Sequence, residues 1–273
     1  MDMALSRRGA WVLRAFFIAL IAFLYLPILL LVIFSFNDSL IPSFPLSGFT
    51  LHWYGVFIHD AELRGTLETS ALVAALSSLG AVFLGLLASI ALVRRRFRGK
   101  AVVTALLLAP LVIPYVVFGV SLLILFHTIG IPRTVFTVMI GHIVISLPYT
   151  ILVLVPRLTQ IDRSMEEASM DLGAGRLRTY WSIVLPLILP AIVSAFLIAF
   201  TTSFDEYAVA SFVIGTKATF PIYLYGALRL PARLPEVISV AVVVMLVSLL
   251  VVVGAEIGRR VAERRLEVVA PEG

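Results

Sequence analysis

Apolar and polar residues alternate in long blocks along the chain. Six apolar runs, Ala15–Phe36, Leu67–Val93, Ala101–Phe126, Thr134–Val155, Leu187–Ile214 and Val237–Ile257, are separated by shorter polar intervals. A helix of about 20 apolar residues crosses roughly 30 Å of hydrocarbon, so each run is long enough to span a bilayer. Lipid offers no partners to backbone N–H and C=O groups, whereas a helix satisfies them within the run. The pattern predicts an all-α integral membrane protein with six transmembrane helices.

The polar interval Ser164–Pro186, SMEEASMDLGAGRLRTYWSIVLP, is the long one of the second half. Ser164 and Glu167 have capping-box spacing, which predicts a helix start. Met165, Ala168, Ser169 and Leu172 then recur at i, i+3, i+4 and i+7, one face of a helix. Gly173 and Gly175 suit the left-handed turn that ends it. A second short segment, Arg176–Leu185, leads to Pro186, where the next span is expected to begin.

Composition sharpens this picture. With 61% hydrophobic and 14% charged residues, the chain has too little polar sequence to cover a soluble domain. The net charge of +5 does not point to nucleic acid, because sixteen of the twenty-one Lys and Arg residues fall in alternate polar intervals. The positive-inside rule then puts both termini and the Ser164–Pro186 loop in the cytoplasm. Arg7, Arg8 and Arg14 precede the first run in the charge order of a signal peptide. That run is longer than a signal core and no small-x-small site closes it, so it is read as an uncleaved span. The organisation expected is a cytoplasmic N-terminus (1–14), a six-helix domain (15–258) containing a cytoplasmic loop (157–186), and a basic cytoplasmic tail (259–273).

Several residues carry candidate chemistry. Asp205 and Glu206 stand within the fifth run, flanked by Phe204 and Tyr207. A charge inside a span costs several kcal/mol, which makes it a functional candidate. Carboxylates beside aromatic faces suit an organic cation. Read as one helix, the run places Asp205 about 28 Å from Pro186, towards the outer leaflet, and consecutive positions about 100° apart keep the two acids from facing one cavity together. The alternative is an interfacial or structural role, with Arg133 or Lys217 as partner. Pro110 and Pro114 predict a kink or break in the third run, with Tyr115 beside it as a pathway candidate. Ser77, Ala81, Gly85 and Ser89 form a small-residue stripe for close helix packing. His142 reads as hydrogen-bonded packing, and Tyr149 is ambiguous. The basic run Arg94–Lys100 either meets anionic headgroups or only fixes orientation. Trp53 and Tyr54, in the outer interval Asn37–Thr66, are membrane anchors or a docking feature.

Other chemistries are excluded. The chain's Gly99-Lys100 is followed by Ala101, so it completes no phosphate-cradling P-loop. There is no zinc-protease motif, no nucleophile elbow and no cysteine, hence no catalytic residue, metal site or cofactor of the chain's own is expected.

The interval resembles the "EAA" coupling loop of the membrane subunits of ABC importers. Glu167, Ala168, Gly173, Ile183, Leu185 and Pro186 fall at the motif's positions, and Ser169 departs from its second alanine. SFNDS and GFTLHWYGVF resemble the first outer loop of polyamine-type importer permeases, and SFDEYAVASFVIG with FPIYLYGALR later resembles the second permease of spermidine/putrescine importers. The resemblance implies a type I importer permease of a bacterial inner membrane. It implies a second permease, two cytoplasmic ATPases that hold ATP and Mg, an external substrate-binding protein, and surrounding lipid. Met165, Ala168 and Leu172 would fill a socket in the ATPase, Glu167 would cap its helix or meet a basic residue there, and Gly173 would permit the tight exit. Phe204, Asp205, Glu206, Tyr207 and Tyr115 would line the substrate pathway. An importer of another solute, such as a thiamine-like cation or ferric ion, and a stand-alone six-span channel remain as alternatives.

Overall fold

A computed structural model describes residues 7–268, so the start of the N-terminal segment and the last residues of the basic tail lie outside the described residues. In chain order the helices are α1 (Arg7–Phe34), α2 (His52–His59), α3 (Ala61–Arg94), α4 (Lys100–Leu108), α5 (Tyr115–Thr128) and α6 (Val135–Gln160). They continue as α7 (Arg163–Asp171), α8 (Arg176–Thr179), α9 (Leu185–Phe204), α10 (Ala208–Val213), α11 (Phe220–Ala227) and α12 (Leu234–Val268). Among the described residues the extended pairing is a single bridge, Asn37 with Phe49.

Among the described residues five helical segments are long and apolar enough to cross a membrane: Trp11–Phe34, Ala61–Arg94, Val135–Gln160, Arg176–Phe204 and Pro231–Gly254. A sixth is made if Lys100–Leu111 and Tyr115–Thr128, bent by 103°, count as one span. The bend falls at the two prolines the sequence singled out. Pro110 sits in a 3-10 turn, and Pro114 has extended backbone at the start of α5. A proline also disfavours helix at the residue before it, here Ile113, so the chain turns instead of continuing.

The chain divides into two units, residues up to Ala61 with Leu224–Val247, and Glu62–Tyr223 with the residues from Ser248 on. In the first, the interval between α1 and α2 folds back on the end of α1. Trp53 Nε1 donates to the Asn37 carbonyl at 2.9 Å, and the hydroxyls of Tyr54 and Ser35 are hydrogen-bonded at 2.7 Å. Phe36 stacks on Phe49 at 5.0 Å. Trp53 and Tyr54 thus hold the interval together.

In the second unit α3 packs on α6 along the small-residue stripe. Gly85 meets Thr150 so closely that a Cβ has no room, and Thr150 Oγ1 donates to the Ala81 carbonyl at 3.2 Å. α9 also lies along α6, burying Leu154, Leu158, Ile188 and Ala195. α10 packs against α5 and α6 around Leu122, Val138, Val209 and Val213, and Thr137 Oγ1 donates to the Val213 carbonyl at 2.8 Å. Between apolar helices in lipid there is little hydrophobic gain, so close packing and such bonds, worth roughly 0.6 to 2 kcal/mol each, hold the bundle.

Two expectations about the fifth run are corrected. The segment before Pro186 is not separate from the span: α8 runs through a π-turn at Tyr180–Val184 into α9, one helical path from Arg176 to Phe204. Pro186 lacks the N–H that would bond the Ser182 carbonyl and its ring crowds that turn, and a wider turn accommodates it. Nor does the run continue as helix to Ile214. It stops at Phe204 and restarts at Ala208.

Candidate functional site

Two places in the second unit gather the candidate residues. The first is α7 and the turn that follows it. Its N-cap is Asp162, not Ser164: an Asp162 Oδ1 accepts from the Ser164 N–H at 3.0 Å, and Glu167 does not close a capping box. That bond to the Ser164 N–H holds the Asp162 carboxyl below the usual carboxylate range. Asp is a cap of the same rank as Ser and lies two residues ahead of it, a signal the sequence carried. The C-terminal end is a Schellman motif. Gly173, at φ +88°, donates to the Met170 carbonyl at 2.9 Å, and Ala174 donates to the Ser169 carbonyl at 3.1 Å. Gly175 has φ −68° and starts α8, so the left-handed position belongs to Gly173 alone of the two.

The periodic face of α7 is open. Met165, Ala168, Ser169, Leu172 and Gly173 line one side of a groove of about 770 Å³, with Ile183 and Pro186 from the π-turn and α9 on the other. Leu172 is 90% exposed, an apolar side chain left without cover by this chain. The turn is braced by a hydrogen bond of 3.1 Å between the hydroxyls of Ser169 and Thr179. Alanine, the residue usual in the motif at this place, could not make that bond. Two predicted residues fall outside the groove. Leu185 packs against the core of Leu158, Val184 and Ile188. Glu167 turns to a smaller pocket of about 190 Å³ that it shares with Arg94, Arg95, Arg163 and Arg176.

The second place is the break after α9. The two adjacent acids there have different surroundings. Glu206 is 5% exposed, and its two oxygens accept from the N–H groups of Val209 (2.8 Å) and Ala210 (2.9 Å). It thereby caps α10, which is why helix restarts there. Its Oε2 also lies 3.2 Å from Nε2 of the buried His142 on α6, whose Nδ1 is hydrogen-bonded to Ser203 Oγ at 2.7 Å. Neither Arg133 nor Lys217, the partners the sequence put forward, is the cation beside Glu206. His142 is hydrogen-bonded packing, as read, but with an acidic partner more than sixty positions away.

Asp205, by contrast, is exposed, and its side chain takes no hydrogen bond or ion pair among the described residues. Phe204 beside it extends a ladder of rings, 5.9 Å from Phe200 and 6.3 Å from Phe220. Tyr207 is half-buried in the break. Tyr115, at the start of α5, bonds through its hydroxyl to that of Tyr149 at 3.2 Å. The break separates Asp205 from its neighbour by chemistry, because one carboxylate is fully engaged and the other is open.

The described residues thus combine several membrane-length helices, a helix break holding two acids, and a short helix whose periodic apolar face is left uncovered. Residues 81–268 match the family described as binding-protein-dependent transport system inner membrane component, and the chain belongs to that family. It is 40% identical over 231 residues to the putrescine transport system permease protein PotI of Escherichia coli, covering 82% of each chain. It is 33% identical over 243 residues to the spermidine/putrescine transport system permease protein PotC of the same organism, covering 89% of this chain and 91% of that one. The fold is shared with a chain of a bacterial ABC transporter that imports the acidic polysaccharide alginate, with a TM-score of 0.71 at 18% identity over 93% of this chain and 98% of that one.

Proposed function

We propose that this chain is the polyamine-conducting permease subunit of an ATP-driven importer. The single observation that carries the substrate assignment is the open carboxylate of Asp205, next in sequence to Phe204 and its ladder of rings. The ammonium of an alkyl polyamine pairs with such a carboxylate and is attracted by the adjoining ring face. The relatives' substrates, putrescine and spermidine, have this chemistry. Glu206, His142 and Ser203 hold the break in shape, and Tyr207 and Tyr115 flank it. The importance of Glu206 is to fix where Asp205 stands rather than to meet the solute.

In this reading the chain crosses the inner membrane six times, the bent α4–α5 pair being the third span, with residues 1–14, the 157–186 loop and the tail 259–273 in the cytoplasm. The charge distribution supports that orientation. The groove on Met165, Ala168, Ser169, Leu172 and Gly173 receives a surface of a cytoplasmic ATPase, which holds ATP and Mg. Ile183 and Pro186 floor the groove, and Leu185 fixes that floor to the core. Glu167 faces the basic side. Two ATPases, a second permease and an external substrate-binding protein complete the machine. Its two access states are populated differently by nucleotide and by the loaded binding protein.

The test is uptake by liposomes holding the assembled complex, with ATP inside and the binding protein outside. Spermidine, putrescine, thiamine, ferric iron and amino acids compete for entry. ATP-dependent entry of spermidine or putrescine is expected. Entry of another solute alone overturns the polyamine assignment, and entry independent of ATP overturns the importer.

A further inference from the structure

The end of α3 is fastened to the start of α7 by a crossed pair of arginines. A nitrogen of the Arg94 guanidinium, on the last residue of α3, lies 2.7 Å from Oε1 of Glu166 on α7. The pair is largely sheltered, with side-chain exposures of 9% and 14%. The same guanidinium donates to the Ile161 carbonyl at 3.1 Å, where α6 turns into α7. In return, Arg163 of α7 donates to the Arg94 carbonyl at 2.9 Å. Neither Arg94 nor Glu166 belongs to the groove on the opposite side of α7.

A sheltered ion pair joined to main-chain hydrogen bonds is stiffer than an exposed one, since both charges have fixed partners. α7 is already tied through its own chain to α6 and to α8–α9. The Arg94–Glu166 pair adds a third connection, to a helix that is not adjacent in sequence. α3 then runs unbroken for about 36 Å back to Ser70. There Ser70 Oγ accepts from the Phe220 N–H at 2.8 Å. The ring of Phe220 is 6.3 Å from that of Phe204, next to Asp205. Along the way α3 is held to α6 by the Gly85–Thr150 contact.

We propose that Arg94 and Glu166 act as a clamp that makes α3 a second arm of transmission, carrying displacement of α7 to the Asp205 break from the Phe220 side. The first arm is the continuous helix from Arg176 to Phe204. With both arms attached, a push on α7 moves the two walls of the break together. With the clamp open, α9 moves alone and the break is strained without changing access. Arg94 and Glu166 are positioning residues, because they touch neither solute nor nucleotide. The proposal rests on α7 being the element that receives the ATPase.

The experiment measures putrescine imported per ATP hydrolysed, in liposomes holding the complete complex with its binding protein. The variants are Arg94→Glu, Glu166→Arg, the double reversal and, as a reference, Gly173→Val. Each single reversal is expected to lower the ratio on the order of tenfold, the scale of coupling between residues in one network, while the complex assembles and hydrolyses ATP. The double reversal is expected to recover most of the loss, a rescue that a general packing defect would not give. Should a reversal prevent assembly, Glu166→Gln keeps the side chain's volume and is expected to lower the same ratio. A single variant (or Glu166→Gln) with the wild-type ratio, or a double reversal no better than its parents, overturns the clamp. If Gly173→Val itself imports normally per ATP, the coupling role of α7 falls. If Gly173→Val is uncoupled and Glu166→Arg is not, the clamp alone falls.

Discussion

Nε2 of His142 lies 3.2 Å from Oε2 of Glu206, joining α6 to the first turn of α10 across a gap in the helix that precedes it. Both residues are buried, and Glu206 also accepts from two backbone N–H groups. One carboxylate therefore organises the break, and its engagement leaves Asp205 as the open charge.

Replacing Glu206 with Ala should destabilise the purified complex more than any change at Asp205. It orphans two backbone donors and the imidazole, at about 1–3 kcal/mol for each buried group left unmade. Thermal unfolding in detergent reads this directly. A Glu206→Ala complex as stable as wild type would contradict the structural role given to Glu206.

Ser169→Ala restores the residue usual in the coupling motif and removes the hydroxyl contact with Thr179. Thr179 Oγ1 keeps its bond of 3.3 Å to the Gly175 carbonyl, so no buried group is left bare. The variant should lose less than about 1 kcal/mol of stability and keep its transport per ATP. Uncoupling would mean that the serine takes part in docking.

The Asp162 cap has a defined pH dependence. Its carboxyl is held below the ordinary range in the folded protein, so the stabilisation is fully present above the unfolded value and is lost as pH falls through the folded one. Asp162→Ala should raise hydrogen exchange at the Ser164 amide at neutral pH. In the wild type that amide should stay protected until the pH drops below the usual carboxylate range. Early loss near neutrality would assign the cap to another group.

Gly173→Ala places a Cβ at φ +88°, a conformation that costs about 1–2 kcal/mol for other residues. The Schellman turn should loosen, with faster exchange at the Ala174 amide and weaker retention of the ATPase on co-purification. Unchanged retention would show that the groove tolerates a different exit from α7.

Most of the span pattern was legible because membrane-length apolar runs leave few alternatives. The face of α7 that lines the groove was likewise written in the i, i+3, i+4, i+7 spacing. The fifth span was not. Apolar sequence lies on both sides of the two acids, and Glu206, which caps α10, meets His142 more than sixty positions away, a tertiary contact no local pattern records. The cap on α7 was missed for a different reason, since Asp162 and Ser164 are both good caps and the motif favoured the second. Arg94 looked like one of a run of topological charges. Its partner, Glu166, lies in another interval of the chain and carries no signature of its own.

The most direct test of the central claim compares wild type with Asp205→Asn in liposomes, reading putrescine uptake and ATP hydrolysis together. Asparagine keeps the shape and removes the charge, and Asp205 has no side-chain partner to lose among the described residues. The account predicts an intact, ATP-hydrolysing complex whose putrescine uptake falls at least about tenfold, as expected when a desolvated charge pair with the solute is removed. Wild-type uptake by the Asp205→Asn complex would contradict it, and would move the solute's path away from the break.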